Sequence, residues 1–400
     1  MTPFRPSRVR RVAAWLLAPL ALAGCSLLPG NDSGGSGGGA APAAGGDPFA
    51  LTGVCPNPVV IQTDWNPESE YGATYNLVGS GYRIDKQRQR VRGPLTVEGH
   101  YTGVDVEVRA GGPIIDFATL DTLYEDRSIT LSFMTTDEAA RNYAAKPAIS
   151  VVAPTEINPQ ILMWDPESHP EWTTVVDIGQ TNAPVFATAD NAYPEFLIGS
   201  GILRRQQVNP KGIAYDGSPK AFIDSGGEIV QQGFATAEPW LYKNAIEGWL
   251  KPVAFQLIHD MGYQVYSQAL AIRAGDKERL TPCLRKLVPL VQRSTVDFIE
   301  RPERANRLIV ELVEAYDADW EYPKALADFS ASQQRTLGIT DNGPDQTIGN
   351  FDMERVQGVL DILKPIFAGQ RRPLKEGLRP EELVTNEFID STIGLRGTSS

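Results

Sequence analysis

The chain has 400 residues, 42% apolar and 22% charged, enough for one large or two ordinary domains with real cores. Its net charge of −12 argues against binding nucleic acid or an anionic membrane through a basic surface. A small anionic ligand is not excluded, because one buried arginine or a helix N-terminus outweighs distant surface charge.

In chain order, Arg5 to Arg11 form a basic stretch and Val12 to Leu22 an apolar one too short for a membrane span. Leu22-Ala23-Gly24-Cys25 then matches the bacterial lipobox, in which the cysteine thiol takes a diacylglycerol and cleavage precedes it. The alternative is an ordinary secretory signal beside an incidental cysteine. The small-small-Cys ending favours lipidation. Residues 1–24 are therefore expected to be a signal peptide and residues 25–47, rich in Gly, Ser and Ala, a lipidated flexible tether. The folded body is expected on the extracytoplasmic side of the cell membrane. Loss of Arg5, Arg8, Arg10 and Arg11 leaves the mature chain more acidic still. Cys55 and Cys283 are then the remaining thiols in an oxidising compartment, where a pair is more often bridged than left as two inert thiols.

Beyond the tether, short apolar runs alternate with helix-like segments, the pattern of an α/β protein. Residues 59–63 read as a first strand and 68–78 as a helix with Tyr71, Tyr75 and Val78 on one face. Residues 104–112 form a strand of alternating valines ending in Gly-Gly, followed by a strand at 128–134. A helix over 137–146, capped by Thr135 or Thr136, leads to a buried strand at 148–154. The pattern repeats on a smaller scale over about 155–250. Two strand-like stretches follow, 253–259 and 265–275, before a helical C-terminal third. One strand-helix body interrupted by another predicts two lobes. The first comprises 48–153 and 252–395, the second 154–251, and the chain crosses near 151–154 and 250–255. Ligands of such folds sit in the crevice at the carboxyl ends of strands. No P-loop or clustered Cys/His pattern is found, and the body holds no nucleophile elbow. His100, His169 and His259 are too scattered for a metal site, so neither metal, cofactor nor enzymatic activity is expected.

Four features together carry a family resemblance. They are the lipobox with its tether, the Trp65-Asn66-Pro67 loop followed by Tyr71, Gly72 and Tyr75, the stretch "QQGFATAEPWLY" from Gln231, and the tail segments "NFDMERVQGVLDIL" and "LVTNEFID". In this order they resemble the substrate-binding proteins of bacterial ABC importers, in the nitrate/sulfonate/thiamine-pyrimidine-precursor (SsuA-like) branch. The resemblance implies a type II periplasmic-binding fold whose lobes close on a small molecule. It also implies a monomer that delivers its ligand to a membrane permease and ATPase. Two departures are a long basic loop over 83–103, expected to be an exposed insertion, and an extended segment at 164–177. An exported enzyme and a ligand-sensing subunit are the competing classes.

Candidate ligand residues follow from position. Trp65, after the first strand, is either a stacking wall or a core indole, and Asp64 either contacts ligand or caps the next helix. Of Tyr71 and Tyr75, Tyr71 is expected to face the cleft. Glu238, before Pro239, either accepts paired hydrogen bonds from the ligand or caps its own helix, and Trp240 either closes the pocket or packs. Gly217 and Ser218 offer backbone amides at a strand-to-helix turn, and Asn182 is a further polar candidate. Aromatics beside carboxylates, with no cation from Asp64 to Tyr75, point to a flat nitrogen-bearing ligand rather than a sulfonate or nitrate.

Overall fold

Two sheets organise the chain, and the sequence interleaves them. The computed structural model describes residues 47–188, 191–215, 217–318 and 320–396; the signal, Cys25 and nearly all of the tether lie outside these. Among the described residues the strands are β1 (Val59–Gln62), β2 (Arg83–Asp85), β3 (Arg90–Val97), β4 (His100–Arg109), β5 (Leu131–Met134), β6 (Ala148–Val152), β7 (Gln160–Trp164), β8 (Val185–Phe186), β9 (Val230–Phe234), β10 (Ala254–Leu257) and β11 (Ala269–Arg273). A seven-stranded sheet has the order β2-β3-β4-β1-β5-β11-β6 and a four-stranded one β10-β7-β9-β8. In the large sheet β1 runs parallel to β4 and β5, while β11 returns antiparallel between β5 and β6.

Strand periodicity of two divides the core. Val59 and Ile61 face a cluster covered by helices Lys277–Glu300 and Glu303–Tyr316, through residues such as Leu284, Leu287 and Ile309. Val60 faces the other way, into a cluster with Val359, Leu360 and Leu363 of helix Met353–Gly369. In the small sheet Leu162 and Trp164 join that second cluster, whereas Ile161 and Met163 face a third with Phe222 and Tyr242.

Three sequence expectations are corrected here. Residues 83–103 are no exposed insertion: most of them form the β2–β3 hairpin and the start of β4, extending the sheet edge. Val91, Leu95 and Val97 are buried there, and the outward Arg90 and Arg92 pair with Glu107 (3.5 Å) and Asp105 (2.9 Å). The helix expected over 68–78 shrinks to a 3-10 turn, Ser69–Tyr71, and one short helix, Gly72–Tyr75. Beyond it Leu77 O accepts the Thr96 amide and Gly79 N donates to Pro94 O, so pairing with β3 replaces helical bonds. Finally, β10 pairs with β7 in the small sheet, because Val253, Phe255 and Leu257 join the third cluster. The second crossing therefore runs over residues 258–268, not 250–255.

Cys55 and Cys283 form a disulfide that ties the start of the folded body to helix Lys277–Glu300. The tail docks back on β6, where Thr385 N donates to Ser150 O at 2.9 Å.

Candidate functional site

The loop after β1 is pinned from beneath by Gly111 and Gly112. Gly111 N donates to Trp65 O and Gly112 N to Asp64 O, both at 2.9 Å. A Cβ on Gly111 would lie 2.2 Å from Thr63 O, and Gly112 has φ +65° with the Trp65 ring 3.1 Å from its would-be Cβ. Only glycines admit so close an approach in that conformation. The result holds Asp64 and Trp65 half-buried at the carboxyl end of β1.

Carboxylates converge on this end. The Tyr71 hydroxyl donates to Asp64 Oδ1 at 2.8 Å, while Glu70 is buried and accepts from the Thr236 hydroxyl and from Gln268 Nε2 (2.7 Å). Glu68 and Glu238 are half-buried, and Glu238 Oε2 accepts the Phe234 amide at 2.6 Å. Burial raises all four, and they repel one another. Asp64 lies above the usual carboxylate range because of burial, against the Tyr71 hydrogen bond. Glu68 is well above it through burial, then Glu70, Asp64 and Glu238. Glu70 and Glu238 are each pushed by burial to about 7. Glu138, on helix Thr136–Asn142, is raised by burial and then by Asp64, also to about 7. Among the described residues the side chains of Asp64, Glu70 and Glu238 accept hydrogen bonds from Tyr71, Thr236, Gln268 and the Phe234 amide, all neutral. The charges acting most on Glu68 are those of Glu70, Asp64 and Glu238, and Arg141 opposes the rise of Glu138.

An aromatic wall stands beside the carboxylates. Trp65 lies 5.6 Å from Phe117 and 5.9 Å, edge-on, from Trp320, measured between ring centroids. Phe117 is 63% exposed, so one end of the wall is open. Trp320 is held in turn by Nε1 donating to Pro67 O at 3.2 Å and by stacking on Tyr322. From the small-sheet side, Ala237, Trp240 and Leu241 pack against the large-sheet core, so helix Glu238–Asn244 closes over this end.

Asp64, Trp65, Tyr71 and Glu238 are thus brought together, with Trp240 packed nearby. Tyr71 braces Asp64, whereas the Tyr75 hydroxyl is buried without a partner among the described residues. Asn182 is exposed, bonded to Arg204, and lies before β8; since β8 runs parallel to β9, it sits at the opposite sheet end from Glu238. Gly217 is exposed with φ +87°, and Ser218 Oγ accepts the Lys220 amide at 3.1 Å, two residues before the short helix Lys220–Asp224. Sequence reasoning missed Glu70, Glu138, Phe117, Trp320, Thr236 and Gln268 as site residues. Glu70 alone carried a signal, as one of the three carboxylates Asp64, Glu68 and Glu70 crowded around Trp65.

No protein-family model matches the chain, and no curated protein matches it in sequence. Solved structures match it over most of its length. The periplasmic aliphatic sulphonate binding protein SsuA of Escherichia coli is 12% identical, with a TM-score of 0.53, over 81% of this chain and 94% of that one. The ligand-binding component of an ABC-type import system from Staphylococcus aureus, with zinc bound, is 11% identical with a TM-score of 0.53, over 83% and 98%. The alkanesulfonate-binding protein SsuA of Xanthomonas axonopodis pv. citri, bound to MOPS, is 11% identical with a TM-score of 0.50, over 82% and 99%. At such identities the likeness establishes architecture: this is a mixed α/β protein with the two-lobed periplasmic-binding fold. The neighbours include sulfonate-binding proteins of the branch that the sequence motifs resemble.

Proposed function

We propose that the chain is the extracytoplasmic solute-binding component of an ABC importer, closing its lobes on a small nitrogen-bearing organic cation and delivering it to a permease. The observation that carries this reading is the group of Asp64, Glu68, Glu70 and Glu238 at the meeting of both sheets, whose side-chain hydrogen bonds among the described residues come from neutral donors and from no Lys or Arg. Raised carboxylates of this kind gain most from a ligand that supplies the missing positive charge. Trp65 and Phe117 add π-faces that attract a cation and cover a flat ring. Among the described residues, no three His, Cys, Asp or Glu side chains are placed to hold a metal ion, which favours an organic cation. Sulfonate or nitrate would instead need donors or cations at this end. Asn182, Gly217 and Ser218 are peripheral in this reading.

Calorimetric titration against aminoheterocycles, amidines, polyamines, sulfonates and nitrate tests it. Trp65→Ala removes a stacking surface of about 1–3 kcal/mol. Glu238→Gln keeps the shape and loses a charge-assisted bond of about 1.5–3 kcal/mol. Each should weaken the best cation by about tenfold to a hundredfold. Wild-type affinity in both variants, or binding of sulfonate alone, would refute the reading. Recovery of the ligand unchanged separates a binding protein from an enzyme.

Lipid at Cys25 anchors the protein to the membrane in this proposal. Cys25→Ala should release it from the membrane fraction or block its processing; unchanged partitioning would sink the anchor.

A further inference from the structure

Glu70 is held from three places in the fold at once. It lies on the turn Ser69–Tyr71 that follows β1. The Thr236 hydroxyl, just after β9, donates to its Oε1, and Gln268 Nε2, at the end of the second crossing, donates to its Oε2 at 2.7 Å. Glu70 and Gln268 are each 5% exposed. The other end of the Gln268 amide, its oxygen, is buried without a hydrogen-bond partner among the described residues. An orphaned buried acceptor is uncommon enough to ask for a donor. The Glu70 carboxylate that Gln268 Nε2 contacts offers about four acceptor positions, of which the described residues fill two. Two acceptors with unfilled capacity therefore belong to one hydrogen-bonded pair of side chains, where both sheets and the crossing meet.

We infer that Glu70 and the Gln268 amide oxygen together receive two N–H donors from one edge of the bound solute, which makes that solute an amidinium- or guanidinium-type cation. This rests on the cationic reading above and narrows it. A planar amidinium presents two N–H groups side by side, matched to paired acceptors. The donors of a primary ammonium diverge, and a quaternary ammonium has none.

Proton exchange with solvent follows. Among the described residues, the charged groups that couple most to Glu70 are Asp64 and Glu68 on the same loop and Glu238 on the facing helix, all of them carboxylates. Burial, Asp64 and Glu238 hold Glu70 at about 7 against the Thr236 and Gln268 hydrogen bonds. At pH 6 it is mostly protonated, and an arriving cation favours its ionised form, so the proton leaves to solvent. Affinity therefore falls as pH drops through 7, by about tenfold between pH 8 and pH 6 from Glu70 alone.

The test is calorimetric titration of the purified protein with benzamidinium, methylguanidinium and tetramethylammonium, at pH 6 and pH 8, in buffers of different ionisation heat. The two planar cations should bind at least tenfold more tightly than tetramethylammonium and should release protons at pH 6. Glu70→Gln should remove Glu70's share of that release and about tenfold of the pH effect. Gln268→Met should weaken the planar cations by about tenfold and leave tetramethylammonium unchanged. Tetramethylammonium binding as tightly as the planar cations, or wild-type binding without proton release, would overturn the inference while the cationic reading stands. Failure of every cation at both pH values would overturn both. The wild-type measurements decide the matter even if a variant does not fold.

Discussion

Replacing Arg355 by Leu is expected to cost the folded protein about 3–5 kcal/mol, the usual result of removing one partner of a buried ion pair. Arg355 lies on helix Met353–Gly369, and its guanidinium holds both crossings between the sheets. Nη1 donates to the Glu156 carboxylate at 2.7 Å and Nη2 to Glu156 O at 2.8 Å, on the first crossing. On the second, Nε donates to Gln264 O at 2.7 Å and Nη2 to Val265 O at 3.2 Å. The guanidinium carbon also lies 3.8 Å from the centroid of the Tyr266 ring. Leucine leaves the carboxylate and three carbonyls to find other partners. Burial already lifts Glu156 to about 7 against the opposing pull of Arg355, so without the arginine its carboxyl should be neutral at pH 7. Urea unfolding at pH 7 measures the loss, and Arg355→Lys, which keeps the charge without the planar fork, should fall between the two. A loss below about 1 kcal/mol for Arg355→Leu would mean that the crossings are held by something else.

Breaking the Cys55–Cys283 disulfide is expected to cost about 2–5 kcal/mol, near the top of that range if constraint of the unfolded chain dominates, because the bond closes a loop of 228 residues. Cys283 is 1% exposed and sits in the first core cluster, so Cys283→Ser also buries a hydroxyl. Cys55→Ala with Cys283→Ala, compared with wild type under reducing conditions, separates the cross-link from that polar cost. Both should lower the melting temperature. No shift in the reduced protein, once the thiols are shown to be free, would defeat this expectation.

The local pattern of residues determined much of this protein. The four-residue β1, the Thr135 cap accepting from Glu138 N, the buried β6 and the long C-terminal helices all follow from periodicity and capping, which act over a few residues. The Asp64-Trp65 loop was legible for the same reason: an apolar run that stops at a carboxylate, an indole and a proline marks a strand end. Tertiary structure alone decided where partners meet. Residues 83–103 read as a polar loop because their arginines dominate the composition, yet Val91, Leu95 and Val97 gain enough from burial against the β4 valines to build a hairpin. Similarly, β10 looks like any short apolar strand, and only the third core cluster assigns it to the small sheet. Thr236 and Gln268 are neutral polar residues in irregular segments, without periodicity, charge or motif to single them out. Glu70 meets them across 166 and 198 residues of chain. Such a meeting depends on how two sheets stack and how the chain crosses between them, which no window of neighbouring residues encodes.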